Sequence, residues 1–198
     1  MQILIIRHGQ SEADLLKVHE GRADFPLTEL GRRQAKLMAE RVKENFPPEI
    51  IWASTLKRAK ETATILADAL YCPVKFEDRL MEYNNGILAG LTYEEGKKYP
   101  IPKTMHERRV KNGESSIEFR MRVESIFSEI LYTSTYNRIA IVAHGGVINN
   151  LMRAFYKMPV TTEFLFKSGD TAIHLVEITE KERIVHFSND LAHLQHLQ

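Results

Sequence analysis

The sequence predicts an α/β fold: a three-layer sandwich with a mostly parallel central sheet, helices on both faces and an insertion over one edge. Two observations predict it. Short, β-branched apolar runs recur at Gln2–Arg7 (QILIIR), 49–53 (EIIWA) and Arg138–Ala143 (RIAIVA), the pattern of strands buried on both faces. Between them lie segments whose apolar residues return at helical spacing.

Taken in order, 2–7 is the first strand. A helix over 28–45 follows, with Leu30, Ala35, Leu37, Met38 and Val42 near helical spacing, and Pro47-Pro48 stops it. The strand at 49–53 leads into a helix over 55–70, with Ala59, Ala63, Leu66 and Ala67 on one side. A short third strand is expected at 73–76. From 78 to 116 the pattern changes: Gly86, Gly90, Gly96, Pro100, Pro102 and Gly113 interrupt it, and a basic stretch surrounds Arg108-Arg109. Periodicity returns in a helix over 117–132, followed by the strand at 138–143, a helix over 145–157 and late strands at 171–178 and 183–187. Residues 1–198 therefore read as one domain, with 78–116 as a cap-like insertion over the carboxyl edge of the sheet, where ligands gather in such folds.

Lys and Arg total 27 against 26 Asp and Glu, a formal net charge of +1. No basic excess suits a polyanion, so no nucleic-acid partner is expected. A small anion needs only a few well-placed cations. Cys72 is the single cysteine, which excludes an intramolecular disulfide and points to a reducing cytoplasm. The first apolar run ends at Arg7, too short for a signal core or membrane span, and no membrane partner is expected. Dimers are common among enzymes of this size, so a homodimer is a candidate assembly that the sequence leaves open.

Two segments share a form that carries chemistry. Strands 2–7 and 138–143 each run into His-Gly, at His8-Gly9 and His144-Gly145. Each places a histidine at a strand's carboxyl end, with a glycine that lets backbone amides approach a ligand. Taken singly, each histidine reads equally well as a strand-end residue with its hydrogen bonds satisfied. The pairing favours one shared pocket. Arg7 beside His8 supplies a fork for a phosphate. A metal site is disfavoured, because neither segment has a second His or Cys at ligand spacing. His193 and His196 lie three apart near the end of the chain, where fraying is expected. Ser54 or Thr55 would cap the helix that follows, placing Arg58 in a first turn that favours anions. Alone, Arg58 has a weaker alternative as a solvated helical arginine. Glu82 falls in a loop among apolar neighbours, an environment that raises a carboxyl pKa, although most such glutamates are simply exposed.

These elements together resemble the histidine phosphatase superfamily, in its phosphoglycerate-mutase-like branch. The likeness runs through nearly the whole chain in order: Arg7-His8-Gly9-Gln10-Ser11-Glu12-Ala13, Pro26-Leu27-Thr28-Glu29-Leu30-Gly31 with Gln34-Ala35, Ser54 to Ala63, Leu80 to Gly90, Gly113-Glu114-Ser115, and Ala143-His144-Gly145-Gly146. The resemblance implies that His8 is a nucleophile passing through a phosphohistidine, and that Arg7, Arg58 and His144 form the phosphate pocket. It also implies that Glu82 is the acid and base, with His144 sharing in catalysis. It implies neither cofactor nor metal. Two positions depart from the family pattern. Asp14 stands where Asn is common, and a carboxylate there would repel phosphate unless turned away or protonated. Gln10 replaces a common Glu.

The same core serves phosphatases and phosphoglycerate mutases; mutases resembling this family are usually longer, with segments that keep water from the phosphoenzyme. The expectation is therefore a phosphomonoester phosphatase acting on small phosphorylated metabolites. A mutase is the alternative, and a non-catalytic phospho-ligand binding domain is the alternative of another class. Lys103, His106, Arg108, Arg109 and Lys111 are candidates for a second anionic group of the substrate, or are simply solvated.

Overall fold

The computed structural model describes residues 1–161 and 164–197. In chain order its elements are β1 (Gln2–Arg7), α1 (Glu12–Leu16), α2 (Glu29–Asn45), β2 (Ile50–Ala53), α3 (Lys57–Leu70), β3 (Val74–Phe76), α4 (Tyr93–Gly96), α5 (Ser116–Thr133), β4 (Arg138–Ala143), α6 (Gly145–Phe155), β5 (Ile173–Ile178) and β6 (Arg183–Asp190). The strands form one six-stranded sheet in the order β3-β2-β4-β1-β5-β6. The first four are mutually parallel; β5 runs antiparallel to both its neighbours. The mostly parallel α/β architecture is thus as expected.

The continuous apolar character of β1 and β4 follows from having both faces covered. Ile3, Ile5, Ile139 and Ile141 face one core, closed by Val123, Ile126 and Phe127 of α5 and Ile148, Leu151 and Phe155 of α6. Leu4, Ile6, Ala140 and Val142 face the other, closed by Met38 and Val42 of α2 and Ala63 and Leu66 of α3. Alternate residues of one strand therefore anchor opposite helix layers. Each of the larger of these side chains, the valines, leucines, isoleucines, methionine and phenylalanines, contributes about 1.5–3 kcal/mol on burial.

Two expectations about local structure need correction. Neither Ser54 nor Thr55 caps α3: Leu56 is the cap residue, and the Asp24 carboxylate accepts from the Lys57 amide at 2.7 Å. That donor is satisfied from within the protein. Likewise Gly9 does not lend its amide to a ligand, because the amide donates to Thr62 Oγ1 at 3.2 Å. Glycine is needed there for another reason: a Cβ would stand 2.5 Å from the Gly31 carbonyl oxygen, where the loop after β1 crosses the start of α2. The stretch 78–116 also holds more structure than expected, namely two single 3-10 turns and α4. The short α1 was not foreseen either.

Register levels the strand ends. Arg7 pairs with Ala143 and Ala53 with Val142, so β1, β4 and β2 finish side by side. His8, His144 and Ser54 are the next residues of the three strands.

Candidate active site

The amide of His8 donates to Ala143 O at 3.0 Å and that of Ser54 to Val142 O at 3.1 Å, which extends the sheet by one rung. This rung brings the two histidine rings to 5.1 Å between centroids, tilted by 59°. Both are buried. His8 Nδ1 lies 2.7 Å from the Gly9 carbonyl oxygen, which can only accept, so Nδ1 carries the ring proton and Nε2 keeps its lone pair. Burial holds His8 well below the usual histidine range, and Arg58 and then Arg7 push the same way against the Gly9 hydrogen bond. The imidazole is neutral at pH 7. His144 is lowered in the same sense, first by burial and then by Arg58 and His8.

Arg58 is fully buried. Its terminal nitrogens donate to Ala23 O at 2.9 Å and Gly21 O at 2.8 Å, and its Nε–H points to His8 Nε2 at 3.2 Å. A guanidinium with two corners fixed on carbonyls keeps further N–H groups in a set orientation. Arg7 is tethered through Nη1 to Ser168 O at 2.9 Å and Asp170 at 3.3 Å. His144 Nε2 meets Ser54 Oγ at 2.8 Å, and that oxygen also accepts the Leu56 amide. Among the described residues, Arg7 Nε and His144 Nδ1 are buried here without a hydrogen-bond partner, as are His19 Nε2 and Asn85 Oδ1 nearby. Orphaned buried groups are rare and ask for an explanation, such as a ligand that completes them.

Glu82 is held differently from expectation. Backbone amides anchor its carboxyl: Oε1 accepts the Tyr83 amide and Oε2 the Gly146 amide at the start of α6, both at 2.8 Å. Its loop is pinned by Arg122, which donates to the carbonyls of Arg79, Met81 and Glu82 while pairing with Glu114 at 2.6 Å. Glu114 also accepts the Asn84 amide. The five residues expected to share a site are therefore gathered at one end of the sheet, with Glu82 brought in from the insertion.

A cavity of about 350 Å³ opens beside them, lined by residues that include Arg7, Asp14, Glu20, Glu82, Tyr93 and Arg109. Of the five basic candidates in 103–111, Arg109 alone reaches this cavity. Its guanidinium also holds the carbonyls of Gly96 and Tyr99. Arg108 pairs with Glu118, while Lys103, His106 and Lys111 are exposed. Asp14 turns back on its own helix, accepting from the Ser11 amide at 2.8 Å and the Ser11 hydroxyl at 3.1 Å. His193 does not fray: its Nε2 meets Thr171 Oγ1 at 2.9 Å. Sequence reasoning missed Glu20, which contacts Arg58 and Ser11, and the Arg122–Glu114 brace.

A parallel sheet with paired histidines at adjoining strand ends, backed by buried arginine, defines a class of phosphate-handling α/β proteins. The chain belongs to the histidine phosphatase superfamily (branch 1), whose family model matches residues 3–191. It is 29% identical over 205 residues to a protein described as probable phosphoglycerate mutase GpmB of Enterobacter sp. (strain 638), covering 98% of this chain and 95% of that one. Among solved structures, a mycobacterial glucosyl-3-phosphoglycerate phosphatase bound to VO3 superposes with a TM-score of 0.84 at 25% identity, over 95% of this chain and 98% of the other. The α-ribazole phosphatase of Shigella flexneri shares the fold, with a TM-score of 0.87 at 23% identity over 96% and 97% of the two chains.

Proposed function

We propose that this protein is a phosphomonoester phosphatase that works through a phosphohistidine on His8. The observation that carries the reading is the state of His8: a neutral imidazole whose Nδ1 is committed to Gly9 O, beside the unpartnered buried nitrogens Arg7 Nε and His144 Nδ1. In this reading Nε2 attacks phosphorus, the P–O bond to the leaving group breaks, and Glu82 gives its proton to the departing oxygen. Glu82 then takes a proton from water, whose oxygen attacks the phosphoryl group and frees His8. Arg7, Arg58 and His144 would bind the equatorial oxygens and meet the charge gathered there. This role has Ser54 donate to His144 Nε2, which puts the ring proton on Nδ1, the atom left without a partner. These side chains do the charge work themselves, so the route calls for no metal and no cofactor.

The substrates are small phosphorylated metabolites, and the protein acts in the cytoplasm as a single catalytic domain with 78–116 as its cap. Likeness to the GpmB proteins favours one second reading, a phosphoglycerate mutase. The test is phosphate release from an aryl phosphate in excess EDTA, comparing the parent with His8→Ala. Turnover that survives chelation and vanishes in the variant supports the proposal. Interconversion of phosphoglycerates, stimulated by a bisphosphorylated sugar acid and without net phosphate release, would support the mutase. No aryl phosphate turnover with or without metals would sink the phosphatase, and absence of both activities would sink both.

A further inference from the structure

For His8 to act as proposed, a phosphoryl group must reach its Nε2 and Arg58. Glu20 holds that ground. Its Oε1 lies 3.2 Å from Arg58 Nε and accepts from the Ser11 hydroxyl, and its Oε2 lies 3.9 Å from His8 Nε2. The single Nε–H of Arg58 donates to the attacking nitrogen, and this carboxyl lies within ion-pair distance of the same guanidinium nitrogen. Glu20 lines the cavity with its side chain 20% exposed, whereas His8 and Arg58 are closed off from solvent.

The charged and titratable groups around Glu20 come from every neighbouring element. Arg7 and His8 stand at the end of β1, Asp14 on α1, Arg58 on α3 and His144 at the start of α6. Asp170 sits on Arg7, and His19, Glu82, Tyr83, Tyr93 and Arg109 line the same cavity, with His19 lowered by burial and then by Arg109. Asp14 Oδ2 and Glu20 Oε1 both contact the Ser11 hydroxyl, which has one proton to give. Burial raises Glu20 above the usual carboxylate range, Arg58 and Ser11 oppose this, and Asp14 adds to it. An ionised carboxylate here would repel a dianionic phosphoryl group at contact distance, while a neutral one offers it a donor.

We propose that Glu20 is a further substrate-binding residue that works in its protonated form, its carboxylic hydroxyl donating a hydrogen bond to a phosphoryl oxygen. This rests on the phosphatase reading and adds a proton to it: each tetrahedral oxyanion bound brings one proton into the site. Affinity for such an anion then falls tenfold per pH unit above the titration of the free carboxyl.

Sulfate is the probe, because it stays dianionic where phosphate itself titrates. Its binding is followed by isothermal titration calorimetry between about pH 5 and 8, in buffers of different ionisation enthalpy. The parent should take up close to one proton and lose affinity about tenfold per unit on the alkaline side. Glu20→Gln, which keeps the length and a donor, should bind with a level pH profile and take up almost none; Asp14→Asn should keep the parental slope. A Glu20→Gln profile that parallels the parent overturns the proposal and leaves Glu20 a brace for Arg58. If the parent hydrolyses aryl phosphate through His8 while that parallel is seen, this inference falls alone. If the parent neither turns over nor binds sulfate, it falls together with the phosphatase reading.

Discussion

Arg58→Ala is the perturbation whose size follows most directly from the contacts. Alanine removes the donors that satisfy Ala23 O and Gly21 O, and strips the half-buried Glu20 of its cation. Removing one partner of a buried ion pair costs about 3–5 kcal/mol. For a chain of 198 residues, 1 kcal/mol moves Tm by about 2–4 °C, so the variant should melt about 6–20 °C lower. Activity falls separately, since losing one preorganised donor to a developing oxyanion costs about 10²–10³ in rate. Arg58→Lys separates the two effects. It keeps a charge beside Glu20 and recovers part of the stability, yet lacks the fork that reaches Gly21, Ala23 and His8 together. Differential scanning calorimetry gives the first quantity, and kcat/KM on an aryl phosphate, measured well below Tm, gives the second. A folded Arg58→Lys protein with parental kcat/KM would refute the assignment of Arg58 to the phosphate.

Other consequences are equally concrete. Glu82→Gln should lower kcat on alkyl phosphates by about 10²–10⁴ and less on nitrophenyl phosphate, whose leaving group needs no proton; steady-state rates on the pair check this. Arg122→Ala frees the loop that carries Glu82 and should lower kcat at nearly constant KM, with Tm measured alongside. Burial pushes His174, which contacts Ser168 and Ser188, down from 6.5 to about 4. The folded state keeps it neutral while the unfolded chain takes a proton below 6.5, so stability present above pH 6.5 is lost as pH falls toward 4. The loss from this group is about 3 kcal/mol, read by urea unfolding, and His174→Gln should flatten the slope.

The meeting of His8 and His144 was legible because it needs only the alternation of strands and helices, and parallel strands that end level; that Ser54 joins them was not, since it reads as a helix cap. Arg58 was legible for a related reason, since a residue five positions past a strand end, in the first turn of the next helix, must lie near the carboxyl edge. The partners of these residues were not. Glu20 reaches His8 through a loop whose path depends on Gly21, which adopts a left-handed φ of +47° with its missing Cβ filled by Asn85. No periodicity marks such a position. The donors to Glu82 were missed for the same reason: they are a neighbouring amide and the first turn of a distant helix. Gly113-Glu114-Ser115 stood out as a motif, but its work on Arg122 and Asn84 shows only when residues 114 and 84 are in contact.

The central claim is a phosphoryl group carried by His8. A rapid-quench reaction with an aryl phosphate, stopped in alkali to preserve phosphohistidine and mapped by peptide mass spectrometry, tests it most directly. The account predicts a transient phosphoryl group on His8, absent from His8→Ala. Phosphate found on any other residue, or steady turnover by His8→Ala, would contradict it.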